Sequence, residues 1–463
     1  MIYKTENDVL DKAKTAEEKS FGEIDKYNRI KNRPNKGKLG QLVEESFFEY
    51  KVNSRKGPDF VEAGVELKVT PFKKNKQGSP FSAKERLVLN VIDYDDVVKY
   101  KFEDSPFWEK NKVLLIMYYL FEPNKETKDM KIKHSFLYKY PDEDLEIIKR
   151  DYNTIIEKVN RGEAHLLSER DTEILSACTK GSKGSNLRTQ PESPILAKQR
   201  AFSLKQGYMS RILRTYIKGN QISDKIILGE SFATKKQLKD YISRKIENYV
   251  SMSMKSLKEN LKINSNSNQT RQMIISRIFG VKDLSYALDF VTAGFMFKTI
   301  KFEKTGSLKE SMSFPAFDFI ELANEDWEDS QFREIFAENT IVFAVFQENE
   351  DGEIIFKGVK IWEMPFELIE KNVYRTWEKT KYIVQSGKIF KEYKKWGDSI
   401  KKLNYFPGIK DDEVCHVRNH GKNGKDVALL PVSEATLCED SYQKMSIWLN
   451  SNFIKELTKD LIK

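Results

Sequence analysis

The sequence predicts a mixed α/β fold in which two related domains follow one another along the chain. Its 463 residues are enough to bury two hydrophobic cores. The segment DFVEAGVELKVT at residues 59–70 returns as DFVTAGFMFKTI at residues 289–300, and such an internal match indicates a duplicated unit. Each half begins with helical periodicity and continues with β-branched and aromatic runs, which is typical of mixed α/β layers.

A second pair of segments supports the duplication. EDSPF at residues 103–107 corresponds to EDSQF at residues 328–332, and each leads into an apolar run. Without a gap, the two runs end in register at Phe121 and Phe346. Because the matches occur in the same order in both halves, we predict two tandem copies of one fold.

The second copy is predicted to begin with a helix. The segment TKKQ at residues 234–237 has the form of a capping box, and apolar residues recur near helical spacing over residues 238–261. We therefore expect a single helix there, preceded by a linker near residues 217–232. The predicted domains are residues 1–222 and residues 230–463.

Composition excludes several classes of protein. Charged residues make up 32% and apolar residues 39%, as in globular domains rather than disordered chains. Cys178, Cys415 and Cys438 are too few and too scattered for a disulfide framework or a zinc site. No apolar run reaches the ~20 residues of a membrane span, and the start lacks the apolar core of a signal peptide. We expect a cytoplasmic protein without membrane contact.

The positive charge is concentrated in two loops. The net charge is +9, and residues 71–88 and 178–206 are rich in lysine, arginine, glycine, serine and proline. Basic loops of this kind suit the binding of a phosphate backbone. A solvated surface with a basic excess has the same composition, so charge alone leaves both interpretations open.

The stretch PDFVEAGVELK, residues 58–68, carries the most specific chemistry. Glu66 and Lys68 stand at i and i+2, so a strand would direct both to one face. Ala63 and Gly64 suit a hairpin turn that returns the chain beside Asp59. Two carboxylates and a backbone carbonyl are hard oxygen ligands suited to Mg²⁺. Lys68 would orient an attacking water and offset charge on the transition state. The alternative is a charged surface hairpin with no site.

The same region resembles a known nuclease family. GKLGQLVEE, residues 37–45, followed by DFVEAGVELKVTPF resembles the MutH family of PD-(D/E)xK nucleases. The closer likeness is to the two-domain type II restriction endonucleases that cut at GATC, the Sau-type branch. It extends through SAKERLVLN, CTKG, LRTQP and AKQRAFSLKQGYMSRILR, then ESMSFPAFDF, LANEDWEDS and CHVRNHGKN, and so over nearly the whole chain. The fold that it implies is two tandem MutH-like domains.

The resemblance also implies catalytic roles. The acidic metal-site residues and the catalytic lysine would be Glu44, Asp59, Glu66 and Lys68, with the backbone carbonyl of Leu67 as a further ligand. A further lysine of the family follows a serine by five positions. Lys110 fits this spacing from Ser105, whereas a one-residue gap would give the role to Lys112.

DNA contacts in the family come from segments that match CTKGSKGS and AFSLKQGY. Lys180, Ser203 and Lys205 are the candidates from these segments, and Lys84 and Arg86 of the basic loop at residues 71–88 are further DNA-contact candidates. A DNA-contacting arginine of the single-domain repair enzymes falls on Cys178 here. Readout of the target in the first half is therefore expected to differ in detail from those enzymes.

The second half lacks most of the catalytic set. Met296 stands at the position of Glu66, Ile274 at that of Glu44, and Ile335 at that of Lys110. A thioether is a soft ligand that does not suit Mg²⁺. We therefore predict a catalytically degenerate second domain.

A basic loop in the second half suggests DNA binding without cutting. The segment HVRNHGKNGK, residues 416–425, has no acid, and its Arg418 and Lys422 are the contact candidates. An arginine in a loop can bind guanine O6 and N7 bidentately. His416 and His420 are taken as DNA-facing or structural. A solvated basic turn is the alternative.

The predicted function is a Mg²⁺-dependent type II restriction endonuclease that hydrolyses double-stranded DNA at 5′-GATC-3′. The second domain would bind a further copy of the target as an effector, and chains that are monomers when free would pair on DNA with two sites. A cognate DNA methyltransferase is expected in the same system. The alternatives are a MutH-like mismatch-repair nickase and a DNA-binding regulator on a dead nuclease fold.

Overall fold

The computed structural model describes residues 3–32, 36–50, 57–75, 80–122, 125–180, 186–218, 234–267, 269–284, 287–396 and 399–462. The chain forms two compact units: the first holds residues 1–223 and 291–293, and the second holds residues 224–290 and 294–463. Nearly all of the predicted linker lies outside the described residues. Both units contain sheets and helices, as the sequence predicts.

The first unit contains seven described helices and nine described strands. The helices are α1 (Glu6–Lys14), α2 (Phe21–Ile24), α3 (Lys36–Leu42), α4 (Tyr94–Val97), α5 (Pro106–Asn111), α6 (Asp142–Asn160) and α7 (Gln206–Lys218). The strands are β1 (Glu66–Lys74), β2 (Phe81–Ala83), β3 (Leu87–Val91), β4 (Leu114–Leu120), β5 (Ile132–Tyr138), β6 (Leu175–Thr179), β7 (Leu187–Gln190), β8 (Ser193–Lys198) and β9 (Arg200–Leu204).

The central sheet of the first unit has the order β2-β1-β4-β5, and β1 runs parallel to β4. Every residue of β4 is buried, because its two faces belong to different cores. Leu115 and Met117 pack in a core with the N-terminal helices, whereas Leu114 and Ile116 pack in the core that includes α6 and α7. This double burial explains why β4 is an uninterrupted apolar run. A second sheet has the order β3-β9-β6.

The second unit contains nine described helices and ten described strands, counting α11, whose last two residues belong to the first unit. The helices are α8 (Lys235–Glu247), α9 (Met254–Asn260), α10 (Thr270–Ile278), α11 (Leu288–Thr292), α12 (Phe319–Asn324), α13 (Gln331–Ala337), α14 (Phe366–Leu368), α15 (Tyr374–Ser386) and α16 (Ser451–Thr458). The strands are β10 (Phe295–Phe302), β11 (Met312–Ala316), β12 (Thr340–Glu348), β13 (Ile354–Trp362), β14 (Phe390–Trp396), β15 (Ser399–Asn404), β16 (Cys415–Asn419), β17 (Val427–Leu429), β18 (Ser441–Gln443) and β19 (Met445–Leu449).

The strand connections of the first unit recur in the second. Parallel β10 and β12 with antiparallel β13 correspond to β1, β4 and β5, and the order β11-β19-β16 corresponds to β3-β9-β6. The register differs from the gapless match in one place. Phe72 pairs with Leu120, and Phe302, its counterpart, pairs with Gln347. The alignment of Phe121 with Phe346 is therefore wrong by two positions, because two extra residues separate the α13 cap from its strand.

The first helix of the second unit is shorter than the sequence predicts. Thr234 caps α8 as expected, since its side chain accepts a hydrogen bond from the Gln237 N–H. The single helix predicted over residues 238–261 is wrong, because α8 ends at Glu247 and α9 begins at Met254. Ser251, in the segment between the two helices, has a φ of +68°, a conformation that a right-handed helix does not contain, and Ser253 caps the second helix.

Candidate active site

The candidate site lies at the beginning of the parallel pair β1 and β4. Glu66 is the first residue of β1 and pairs in register with Leu114, the first residue of β4. Lys68 follows on the same face of the strand, and its Nζ lies 2.8 Å from Glu66 Oε1. Lys68 Nζ also donates to the carbonyl oxygen of Leu89 in β3, at 3.2 Å. The lysine is therefore held from two elements rather than exposed on a hairpin.

The chain before β1 turns back so that Asp59 meets Glu66. Phe60 and Val65 exchange backbone hydrogen bonds of 2.9 and 3.2 Å around a turn in which Gly64 has a φ of +67°. The Asp59 N–H donates to Glu66 Oε2 at 3.1 Å. The Leu67 N–H in turn donates to Asp59 Oδ2 at 3.0 Å. These reciprocal bonds place the two carboxylates side by side.

A lysine from α5 completes the cluster. Ser105 caps α5, because its Oγ accepts from the Trp108 N–H at 3.1 Å, and Pro106 occupies the first turn. Lys110 lies one turn later, with its Nζ 3.5 Å from Glu66 Oε1. Lys112 follows the end of the helix and is exposed. The structure thus brings Lys110, rather than Lys112, to the site.

Glu44 reaches the same region from a π-helical turn, Val43–Phe47, that continues α3. Burial, followed by repulsion from Asp59 and Glu66, raises the pKa of Glu44 to about 7. Burial and the neighbouring Glu66 also raise the pKa of Asp59 to about 6. Within the described part of the chain, Glu44 Oε1 is buried without a hydrogen-bond partner.

These observations fit a divalent cation. A buried group of acids with raised pKa values and an unpartnered oxygen is stabilised by a cation, and its donors are the hard oxygens that Mg²⁺ prefers. No three His, Cys, Asp or Glu side chains of the described ranges converge enough to hold an ion alone. Asp59, Glu66 and the Leu67 carbonyl could hold it together with water, and Glu44 could join as a further acid.

The DNA-contact candidates of the first unit differ in exposure. Lys180, at the end of β6, is half-buried, and Lys84 Nζ lies 4.4 Å from the centre of the Phe121 ring. Arg86, Ser203 and Lys205 are buried. Ser203 Oγ lies 2.9 Å from Ser176 Oγ, and Lys205 Nζ donates to the Thr172 carbonyl. The structure does not bring these three side chains to the surface, and their contact with DNA stays a prediction.

The corresponding strand of the second unit presents its arginine to solvent. Arg418 in β16 pairs with Ser446 in β19, as Cys178 in β6 pairs with Ala201 in β9. Its guanidinium lies 5.3 Å from the centre of the Trp448 ring. Lys422 follows in an exposed loop. The contact of Arg418 with Trp448 was not predicted, although the alternation of SIWLN, which includes the end of β19, is a signal for an outward-facing tryptophan.

The two histidines of this segment differ in their surroundings. His416 is buried and its Nδ1 lies 2.6 Å from Asn450 Oδ1, which indicates a structural role. His420 is exposed, and its ring centroid lies 6.3 Å from that of Trp448. A zinc-type arrangement is absent here, since the described residues contain no group of three potential ligands.

Comparisons with known proteins point to nucleases. A family model for the DNA mismatch repair enzyme MutH matches residues 48–151, which contain Asp59, Glu66, Lys68 and Lys110. The type II restriction enzyme Sau3AI of Staphylococcus aureus is 38% identical, over 99% of both chains. The DNA mismatch repair proteins MutH of Shewanella woodyi and Shewanella amazonensis are 28% and 26% identical, over 38% and 39% of this chain and 76% and 79% of theirs. No helix in the described ranges is long and apolar enough to cross a membrane.

Proposed function

We propose a specific reaction for this chain, which belongs to the MutH family of nucleases and, within it, to the Sau-type type II restriction endonucleases. Its activity is the site-specific cleavage of double-stranded DNA. We infer that the target is 5′-GATC-3′, on the resemblance of its segments to the GATC-cutting branch, and that the cofactor is Mg²⁺. The observation that carries the proposal is the convergence of Asp59, Glu66, Lys68 and Lys110 at one end of β1.

Each residue of the cluster has a task in phosphodiester hydrolysis. Asp59, Glu66 and the Leu67 carbonyl would hold a magnesium ion, which would supply Lewis-acid stabilisation of the phosphate and a more acidic water. Lys68, fixed by Glu66 and the Leu89 carbonyl, orients the attacking water towards phosphorus. Lys110 adds a second positive charge beside Glu66, where negative charge builds up on the phosphoryl oxygens.

The experiment that tests this proposal is digestion of a plasmid of known sequence by the purified chain with magnesium, followed by sequencing of the ends. Ends at GATC on both strands are expected. A nicked circle as the final product would favour a mismatch-repair nickase instead. The partial matches to MutH proteins support this second candidate. Ends at another sequence would overturn the target while leaving the nuclease intact.

We further infer that the second unit binds another copy of the target without cutting it. The positions of Glu44, Glu66 and Lys110 hold Ile274, Met296 and Ile335 in the second copy. The exposed Arg418, backed by Trp448, is suited to reading guanine. A chain with one active site cuts both strands of a palindrome either by pairing with a second chain or by two successive visits. An effector duplex favours pairing if it binds the paired state better.

Plasmids with one and two target sites test the effector role. The two-site plasmid should be cut faster, and a short target duplex added in trans should accelerate cutting of the one-site plasmid. Equal rates without a response to duplex would overturn the effector role. Sedimentation should find a monomer without DNA and paired chains with it. A methyltransferase that modifies the same sequence is the partner enzyme that such an activity requires to spare host DNA.

A further inference from the structure

One hairpin of the second unit has no counterpart in the first. Strands β14 and β15 lie between α15 and β16, whereas the connection from α6 to β6 contains only the short 3₁₀ turn Ala164–Leu166. The base of the hairpin is anchored in its own unit. The Tyr405 N–H donates to the carbonyl of the buried Ile389 at 3.0 Å, and the Phe390 N–H donates to Glu434 Oε1 at 3.1 Å.

The two strands are strongly basic. FKEYKKW and SIKKLN together contain five lysines and one acid. Lys402 is ion-paired with Glu439 at 2.7 Å, and Lys391 Nζ lies 5.9 Å from the centre of the Tyr405 ring. Lys394 and Lys395 are exposed, and neither forms an ion pair with any residue that the structure describes. Two cations of the hairpin therefore remain for an external partner.

Charge and apolar surface lie close together on the hairpin. Lys394 and Lys395 are adjacent and exposed, and their like charges repel each other. Tyr393 is 60% exposed and Ile400 is 73% exposed, although both belong to residue types that are usually covered. A polyanion with apolar surface between its charges would relieve both costs. Duplex DNA has this chemistry, because sugar edges lie between the phosphates of its backbone.

We propose that the β14–β15 hairpin is a DNA-contacting arm that binds the phosphate backbone beside the target held by the second unit. Lys394 and Lys395 contact phosphates, and Tyr393 and Ile400 cover the sugar edges between them. The contacts are independent of sequence because they involve no base edge. A second copy of the hairpin is a poorer partner, since lysines would face lysines. This inference rests on the proposed effector function and names the element that supplies its affinity.

Equilibrium binding to a target duplex and to a matched duplex without GATC tests the arm in the full chain, in calcium. The variant Lys394→Ala/Lys395→Ala should weaken both by a similar factor, on the order of tenfold, and should lower the slope of log K against log salt by about 2. The charge-matched control is Lys255→Ala/Lys304→Ala, which removes two exposed lysines elsewhere in the second unit. The control should change neither the affinities nor the slope.

Two outcomes overturn the proposal. An unchanged salt slope and affinity in the arm variant would show that the hairpin does not contact DNA. Retained DNA affinity with loss of chain pairing would make it a surface between copies of the chain. Failure of the effector role is separate, because a wild-type enzyme that ignores added duplex can still show the change in slope.

A second, independent observation concerns the first unit. Asn111, fully buried at the end of α5, donates from Nδ2 to Asn90 Oδ1 at 3.1 Å and to the Phe107 carbonyl at 2.8 Å. Asn90 follows Leu89, whose carbonyl holds Lys68, and Asn111 follows Lys110. One side-chain hydrogen bond thus joins the strand that fixes one lysine to the helix that carries the other.

The second unit lacks this bond. Strand pairing places Pro315 at the position of Asn90, and the serine caps of α5 and α13 place Phe336 at that of Asn111. The link is present only in the copy that has the two lysines and Glu66. We infer that Asn111 and Asn90 are positioning residues that keep Lys110 beside Glu66, an inference that depends on the proposed role of Lys110.

A double-mutant cycle tests the positioning role. Asn90→Ala, a change at a half-exposed position, should lower kcat about tenfold with KM for DNA unchanged, because geometry in the transition state is lost. In a Lys110→Ala background the same change should have no further effect. Asn111→Ala should behave alike, with its thermal midpoint recorded because the site is buried. If the fall in kcat from each asparagine change were as large in the Lys110→Ala background as in the wild type, the inference would be overturned. It would also be overturned if Lys110→Ala were inactive while both asparagine variants kept the wild-type kcat.

Discussion

The two units share one arrangement of strands. They differ in the residues at the beginning of the parallel strands, where the candidate site of the first unit lies. β1 begins with Glu66 between two lysines, whereas β10 carries Met296 at the same place and Ile335 faces it from the core. Lys298 remains from the set, and its Nζ donates to the Ser313 carbonyl at 2.8 Å. The fold therefore does not depend on the proposed catalytic cluster. Apolar replacements at these positions are absorbed by the core, as expected for a buried site that has lost its charges.

An ion pair between the first helix and the central sheet, in contrast to the candidate site, is present in both units. Lys139 Nζ lies 2.9 Å from Glu6 Oε2 in the first unit. In the second, Lys235 Nζ lies 3.1 Å from Glu363 Oε1, at the equivalent positions but with the signs exchanged. The interaction is retained while both residues differ. This ion pair is thus kept in both units with the acid and the base exchanged, whereas the residues of the candidate site are complete in the first unit only.

The largest expected effect on cleavage follows from removing Glu66, whose position in the second unit is taken by Met296. Glu66→Ala should lower the cleavage rate by at least about a thousandfold, because a metal ligand and the partner of both lysines are lost. DNA binding in calcium should remain. Plasmid cleavage measures the rate, and the exposed Glu62→Ala is the matched control, expected to cut normally.

The reverse change sharpens the same comparison. Met296→Glu in a Glu66→Ala chain should not restore cleavage, because the second unit has Ile274 and Ile335 at the positions of Glu44 and Lys110. Recovered cutting in that double variant would contradict the view that the whole cluster is required.

Lys110 and Lys112 should differ strongly. Lys110→Ala should reduce kcat on the order of a hundredfold, since a positive charge beside Glu66 is lost. Lys112→Ala removes an equal charge from an exposed position and should cut at nearly the wild-type rate. Single-turnover kinetics on a target duplex give both values. A larger loss for Lys112→Ala would reassign the role.

Target recognition should differ between Arg418 and Cys178. Arg418→Ala should weaken binding of a target duplex by ~1–3 kcal/mol if the guanidinium contacts a guanine, with little change for non-target DNA. Cys178 is fully buried, and Cys178→Ala should leave affinity unchanged. Anisotropy titrations in calcium compare the variants. An equal loss on both duplexes would indicate a phosphate contact by Arg418.

Lys298, which the second unit retains from the set, should make the stability of that unit depend on pH. Burial lowers the pKa of Lys298 to about 8, so the buried lysine has no cost above the unfolded pKa, destabilises the fold increasingly as pH falls below that value, and has its full cost below about pH 8. Lys298→Met should therefore raise the free energy of unfolding at pH 7 by about 1–2 kcal/mol. The gain should shrink by pH 10, as calorimetry can follow.

An exposed lysine controls for the loss of charge. Lys304→Met should give a small change that does not vary with pH. A gain from Lys298→Met of equal size at pH 7 and pH 10 would mean that packing, rather than the buried charge, accounts for it.

The smallest effect concerns the exchanged ion pairs. Burial raises the pKa of Glu363, but Lys235, Thr340 and Lys239 outweigh it and lower the pKa to about 2. Its stabilisation is therefore present above the unfolded pKa and is lost as pH falls towards 2. Glu363→Gln should cost about 1 kcal/mol at pH 7, more than Glu6→Gln at the more exposed pair. Urea unfolding measures both, and equal costs would refute the difference.

The local pattern of the chain was sufficient for the motif and for the duplication. The i, i+2 spacing of Glu66 and Lys68 and the turn at Gly64 depend on neighbours in sequence, and the structure has both. Local reasoning was less successful where one residue interrupts a pattern. Ser251, with its positive φ, breaks the periodicity that predicts one helix up to residue 261.

Long-range packing decided the rest. The choice between Lys110 and Lys112 depends on how α5 packs against β1, and spacing alone left it open. The burial of Ser203 and Lys205 depends on β9 lying between β3 and β6, which a basic segment does not reveal. The stacking of Arg418 on Trp448 joins residues on different strands. Chemistry carried by neighbouring residues could be read from the amino-acid order, whereas contacts between distant segments depend on the register and packing of the folded chain.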